Sequence, residues 1–87
     1  MPHFAHIIDG IVDRVERIES VVMQDSEGVE QEALGQAFLA SCYPGTDPLD
    51  FILTHYPLDQ PTPYPRGKYA GQGDFWDGSN FIAPPAP

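Results

Sequence analysis

The chain has 87 residues, a single cysteine and a formal charge of −9, which arises from 13 acidic and 4 basic residues. This length allows one small domain with a modest core, and a single cysteine excludes an internal disulfide. The acidic balance argues against partners such as nucleic acid or an anionic membrane surface, because both require clustered Lys and Arg.

Two β-branched segments surround the dipeptide Asp9-Gly10 near the start of the chain. Asp-Gly in this setting predicts a β-hairpin, because the glycine tolerates the positive φ of a two-residue turn. A helix is the alternative for residues 11–22, since their apolar side chains also recur at helical spacing. The high content of β-branched residues favours the strand.

Residues 29–42 predict one helix, which the sequence "YPG" at 43–45 ends. Gly35 inside this helix indicates a close approach to the sheet, and Cys42 at its end is predicted to be a buried small hydrophobic residue. The apolar positions expected to face the core follow adjoining rows of the helix surface: Val29, Ala33, Leu34, Ala37, Phe38 and Ser41.

Residues 50–56 predict a third strand, and the sequence around Asp77-Gly78 predicts a tight hairpin. Between them, residues 57–67 contain four prolines and predict an extended loop. The expected fold class is α+β, with a small, mostly antiparallel sheet, one packed helix and a proline-rich C-terminal arm. The predicted core residues are Phe4, Ile7, Ile18, Leu34, Phe38, Phe51 and Leu53.

The whole chain, residues 1–87, is predicted to be a single domain. Within it we expect a compact strand-strand-helix-strand body at 1–56, the proline-rich loop at 57–67, and an aromatic hairpin with the C-terminal arm at 68–87.

The residue patterns of common catalytic and metal sites do not occur in this sequence. His3 and His6 are three apart on a predicted strand, so they face opposite sides and do not readily share one ion, while His55 is distant in sequence. A phosphate-binding glycine motif and a calcium loop are both missing from the sequence. We therefore predict no catalytic, cofactor or metal site and no enzyme activity.

Aromatic side chains and prolines are concentrated in the C-terminal third of the chain. One interpretation is that the rings close a small core; the other is that they anchor a protein partner, and both can hold for different rings. Prolines reduce the entropy that an extended arm loses on docking. The predicted partner-interface residues are Tyr64, Tyr69, Phe75, Trp76, Phe81, Pro84 and Pro85.

Three stretches, "HFAHIIDGIVDRVERIESVV", "DSEGVEQEALGQAFLAS" and "KYAGQGDFWDGSNFIAPPAP", cover nearly the whole chain apart from "PLDQPTPYP". They resemble a group of short virion structural proteins encoded by tailed bacteriophages, especially marine ones. Ala86 departs from the lysine that is common in that group. The matching residues of the ending are Tyr69, Ala70, Gly71, Gly73, Phe81, Ile82, Pro84, Pro85 and Pro87.

The resemblance implies a structural role without catalytic residues or a cofactor, and it favours the N-terminal strand pair. We expect a capsid decoration (cement) protein that is made in the host cytoplasm and binds the major capsid protein on the outer surface of the virion head. A homo-oligomer is expected there, with three copies at a local threefold axis as one arrangement. The alternatives are a tail or tail-fibre accessory protein, another binding module, and a small enzyme.

Overall fold

The computed structural model describes residues 2–55, 64 and 66–84, and it confirms the predicted α+β fold. Most of the predicted proline-rich loop, at 57–63 and 65, and the end of the predicted arm, at 85–87, lie outside the described residues. The described elements are β1 (His3–Ile8), β2 (Ile11–Arg17), α1 (Glu32–Cys42), β3 (Phe51–His55), β4 (Phe75–Trp76) and β5 (Phe81–Ile82). The strands form one antiparallel sheet in the order β3-β1-β2-β4-β5, so the C-terminal hairpin belongs to the same sheet as the N-terminal one.

The N-terminal hairpin has the turn that its sequence predicts. Asp9 and Gly10 adopt positive φ angles of 52° and 77°, which a two-residue turn of this type requires at both positions. The helical alternative for residues 11–22 is wrong, because β2 continues to Arg17 and a short 3₁₀ turn follows at Ser20–Met23.

Helix α1 begins three residues later than predicted, at Glu32 instead of Val29. The reason lies in the preceding turn, where the Asp25 carboxylate accepts hydrogen bonds from the backbone N–H groups of Glu27 and Val29. A side chain that satisfies these N–H groups stabilises a turn in place of the first helical turn.

The prediction of the buried helix face is also wrong. Leu34 and Phe38 are 38% and 37% exposed, whereas Gly35 and Leu39 are buried. Cys42, the last residue of the helix, is exposed, contrary to its predicted burial.

The edge strand β3 explains this orientation of α1. The Leu53 N–H donates to Glu32 (3.0 Å), and the Gln36 side-chain amide donates to the Phe51 carbonyl (2.7 Å). Unpaired backbone groups at a sheet edge are costly when they are shielded from water. The helix therefore turns its polar residues toward β3, and part of its apolar surface faces solvent.

Two hydrophobic clusters lie on opposite faces of the sheet. Ile7, a predicted core residue, is only partly buried and packs against the second cluster. The first cluster, between the sheet and α1, consists of Phe4, Ile18, Met23, Leu39, Phe51 and Leu53. The second cluster consists of Ala5, Val12, Ala70 and Phe81.

The segment 66–70 connects the two edge strands. The Phe81 N–H of β5 donates to the Arg66 carbonyl (3.0 Å), and the Thr54 hydroxyl of β3 donates to the Lys68 carbonyl (3.1 Å). The two carbonyls are two residues apart, so the link from the Phe81 N–H to the Thr54 hydroxyl, including both hydrogen bonds, spans at most about 13 Å, whereas four strand spacings in a flat sheet span about 19 Å. The sheet is therefore curved around its second cluster, with this segment joining its edges.

Asp74 fixes the chain between this segment and β4. Its buried carboxylate accepts hydrogen bonds from Lys68 Nζ (2.7 Å) and the Gly71 N–H (2.8 Å), and its carbonyl accepts from the Val12 N–H of β2 (2.8 Å). Burial by itself raises the pKa of Asp74, but the Lys68 ammonium and the Gly71 N–H together hold that pKa below its usual range.

The close approach of α1 to the sheet makes Gly35 sensitive to substitution. A Cβ at this position would lie 2.5 Å from Cζ of the fully buried Phe4 ring and 3.3 Å from Cδ1 of Ile18. We expect Gly35→Ala to lower the free energy of unfolding by about 1–3 kcal/mol, although alanine favours an isolated helix by about 1 kcal/mol. Urea denaturation measures this change.

The exposed Ala37 on the same helix provides the matched control. Because Ala37 is exposed, Ala37→Gly changes the helix propensity without changing the packing against the sheet. It should lower the free energy of unfolding by about 1 kcal/mol. An increase in stability for Gly35→Ala would contradict the contact between Gly35 and Phe4.

The lowered pKa of Asp74 predicts acid sensitivity. A carboxyl with a lowered pKa in the folded state contributes stability that is complete above its unfolded pKa and is lost as the pH falls through its folded pKa. We expect the free energy of unfolding to fall as the pH decreases below about 4, and Asp74→Asn to reduce both the stability at pH 6 and the steepness of this fall. Urea denaturation between pH 6 and pH 2.5 measures both.

Lys68→Met provides a second test, because it removes the same ion pair from the other side. It should weaken the acid dependence in the same direction. An unchanged acid dependence in both variants would show that this ion pair does not stabilise the fold.

Candidate protein-binding surface

Four apolar side chains form a continuous row across four strands of the sheet. Ile8 lies directly opposite Ile11, Ile11 opposite Phe75, and Phe75 opposite Ile82. Residues directly opposite one another in a sheet project to the same face, so the four side chains are neighbours. We call Ile8, Ile11, Phe75 and Ile82 the apolar row.

The apolar row faces solvent. Its members are 48%, 42%, 40% and 47% exposed in that order. Residues next to them in sequence face the other side, where Trp76 packs against Phe81 with ring centroids 4.8 Å apart. Helix α1 packs against β3, which is the edge strand opposite to β5 in the sheet. The helix therefore does not extend to β4 and β5.

Carboxylates lie at the turns beside the apolar row. Asp9 is in the turn that joins Ile8 to Ile11, and Asp77 begins the turn that joins β4 to β5. The Asp77 carboxylate accepts hydrogen bonds from the N–H groups of Ser79 and Asn80, and these bonds lower its pKa. Asp77 therefore holds the hairpin that presents Phe75 and also adds negative charge at its tip.

The basic residues do not offset this charge, because most of them bind acidic residues of the same molecule. The ion pairs are Arg14 with Asp13 and Glu16, Arg66 with Glu32, and Lys68 with Asp74. Within the described ranges, the acidic residues without an ion pair to Lys or Arg are Asp9, Glu19, Asp25, Glu27, Glu30, Asp47, Asp50 and Asp77.

The residues predicted for the partner interface occupy three different environments. Phe75 lies in the apolar row, whereas Trp76 is half-buried and Phe81 is buried in the second cluster. These two rings hold the C-terminal hairpin onto the sheet in the isolated chain. Pro84 is exposed after β5, and Pro85 lies outside the described residues.

Tyr64 and Tyr69 lie in a separate group, which we call the histidine–tyrosine cluster and define as His3, His55, Tyr64 and Tyr69. The ring centroids of Tyr69 and His3 are 5.3 Å apart, those of Tyr69 and His55 5.2 Å, and those of Tyr64 and His55 5.5 Å. Both tyrosines remain more than 40% exposed. This cluster forms at the ends of β1 and β3, because antiparallel pairing places His55 directly opposite His3.

Sequence reasoning missed three members of the apolar row: Ile8, Ile11 and Ile82. The Asp9-Gly10 turn is the signal that identifies the first two, since a two-residue hairpin places its flanking residues opposite one another. Ile82 depends on the pairing of β4 with β5 and has no comparable signal in the sequence.

The surface features of the described residues suit binding to a protein. In this part of the chain, no three His, Cys, Asp or Glu side chains converge as metal ligands, and no helix has the length and apolarity to cross a bilayer. An apolar patch surrounded by polar groups is typical of a protein interface, and interface cores favour aromatic residues.

Comparison of the chain with protein-family models, with curated proteins and with solved structures finds no match.

Proposed function

We propose that this protein decorates the head of a tailed bacteriophage and binds the major capsid protein through the apolar row. The observation that supports this proposal most is the continuous exposure of Ile8, Ile11, Phe75 and Ile82 as one row across four strands of the sheet. The sequence resemblance to short phage structural proteins supplies the biological setting.

The charge distribution favours a different protein as the partner over a second copy of this chain. A copy placed against the apolar row would bring Asp9 and Asp77 close to the same residues of its neighbour, in molecules that each carry a net charge of −9. Like charges at an interface are unfavourable, whereas a basic rim on the partner would be attracted. In this proposal the shell surface carries Lys or Arg beside an apolar depression.

The row alone is smaller than a typical stable interface, which covers about 800 Å² on each partner. The proposal therefore includes additional contacts by the exposed Tyr64, Tyr69 and Pro84 and by the predicted arm that contains Pro85. Contacts to two neighbouring capsid subunits would strengthen one another, because the second contact forms within an already bound complex. This bridging is how the protein would stabilise the shell, and three copies at a local threefold axis remain one arrangement.

Phe75 provides the direct test of the apolar row. Phe75→Ala should reduce the affinity for purified heads at least tenfold, since central aromatic residues dominate interface energies at about 2 kcal/mol or more. Val21→Ala is the control, because Val21 is 67% exposed and lies beyond the end of β2 opposite to Ile11, away from the row. Co-sedimentation with heads measures binding, and circular dichroism verifies that both variants fold; equal affinity of both variants would contradict the proposal.

The number of copies on each particle distinguishes the head from the tail. A decoration protein that occupies repeated shell sites should be present on the order of hundreds of copies per particle. Quantitative mass spectrometry of purified virions measures this number. A handful of copies would instead identify a tail or tail-fibre accessory protein, and complete absence from virions would contradict both assignments.

A further inference from the structure

The histidine–tyrosine cluster contains two imidazole nitrogens in direct contact. His3 and His55 are directly opposite residues of β1 and β3, and their Nδ1 atoms are 3.1 Å apart. The two rings are half-buried, with centroids 5.2 Å apart and planes at 51°. Fifty-two residues separate these histidines in sequence, so their contact is a product of the fold.

This separation matches the spacing of two nitrogen ligands on one metal ion. Metal–nitrogen bonds of 2.0–2.1 Å at angles between 90° and 109° place the two nitrogens about 2.8–3.4 Å apart. The 3.1 Å between the Nδ1 atoms lies within this range. The pairing of β1 with β3 thus holds two good ligands of transition metals at chelating distance before any ion arrives.

We propose that His3 and His55 form a two-histidine chelate for a divalent transition-metal ion. Imidazole suits Cu(II), Ni(II) and Zn(II), and the Irving–Williams order makes Cu(II) the tightest of the three. The two tyrosines of the histidine–tyrosine cluster are also proposed contacts to the capsid, but metal binding by the two histidines does not depend on that proposal.

The proton balance of binding follows from the contact itself. In the neutral pair, one imidazole carries its proton on Nδ1 and donates it to the Nδ1 lone pair of the other. Chelation needs both lone pairs, so the donor ring changes tautomer and its proton moves from Nδ1 to Nε2 through solvent. Neutral histidines then release no net proton, whereas a protonated histidine must lose one, and binding weakens in acid.

The rest of the cluster limits what else can bind the ion. Tyr64 and Tyr69 pack beside His55, and the described residues place no third His, Cys, Asp or Glu next to the pair. Among the described residues no further ligand is at hand, so water, a donor from another molecule or a residue outside the described ranges would complete the coordination sphere. His6 is excluded from this site, because its ring stacks on Phe51 and its Nδ1 lies 3.8 Å from Asp13.

Calorimetric titration with Cu(II) and with Ni(II) at pH 7.5 tests the proposal on the full chain. All proteins should carry Cys42→Ser, because the exposed Cys42 thiol would otherwise bind or reduce Cu(II). We expect one ion per chain, electron paramagnetic resonance of the Cu(II) form showing two coordinated nitrogens, and a rise in the melting temperature with saturating metal. His3→Gln and His55→Gln should each weaken binding roughly tenfold or more and abolish the thermal shift.

His6→Gln is the matched control and should bind both ions as tightly as the parent protein. His55→Gln also distinguishes the proposed chelate from a site at the N-terminal amine, which would include His3 but not His55. Parent and His55→Gln proteins that bind Cu(II) equally would overturn the proposal, as would a parent protein that shows no saturable binding. Circular dichroism verifies that the glutamine variants fold. If one of them does not fold, the electron paramagnetic resonance spectrum of the parent protein with Cu(II) tests the proposal instead. Coordination of Cu(II) by fewer than two imidazole nitrogens in that spectrum would overturn the proposal.

Discussion

The hydrogen bonds from the segment 66–70 to both edge strands are the constraint on which the rest of this structure depends. Thr54 is fully buried, and its hydroxyl donates to the Lys68 carbonyl and accepts from the Ala70 N–H, so one side chain satisfies two backbone groups. A buried hydroxyl with both roles filled stabilises a unique position of the neighbouring chain. The curvature of the sheet follows from this connection, and direct backbone hydrogen bonds, such as that from the Trp76 N–H to the Gly10 carbonyl, hold β4 beside β2 within the curved sheet.

The same constraint determines which side chains the C-terminal hairpin offers to a partner. Trp76 and Phe81 are used to attach the hairpin to the sheet, and strict alternation along short strands then directs Phe75 and Ile82 outward. The apolar row is thus a consequence of how the core is closed. A chain of 87 residues buries a smaller fraction of its surface on folding than a larger domain does, so its stability from this source is limited. A partner that covers the apolar row would bury more apolar surface and would stabilise the folded chain.

Local signals in the sequence predicted the fold class. The features that they did not predict depend on contacts between residues that are far apart in the sequence. The Asp9-Gly10 and Asp77-Gly78 turns identified both hairpins, because their geometry depends on adjacent residues. The buried face of α1 was missed because the edge of β3 competes for that face through Glu32 and Gln36, and hydrophobic spacing carries no information about such bonds. The contact of His3 with His55 likewise needs the register between β1 and β3, which no local pattern contains. Phe75 was predicted from composition, but its place in a row with Ile8, Ile11 and Ile82 requires the sheet order.

Our central claim is that the apolar row is the surface by which this chain meets its partner. Cryo-electron microscopy of purified virions tests it most directly, because the orientation of the bound chain reveals which face contacts the shell. We predict that the face of β2, β4 and β5 that carries Ile11, Phe75 and Ile82 lies against the major capsid protein, with Asp9 and Asp77 beside its Lys or Arg residues. A bound chain whose apolar row faces solvent would contradict this claim.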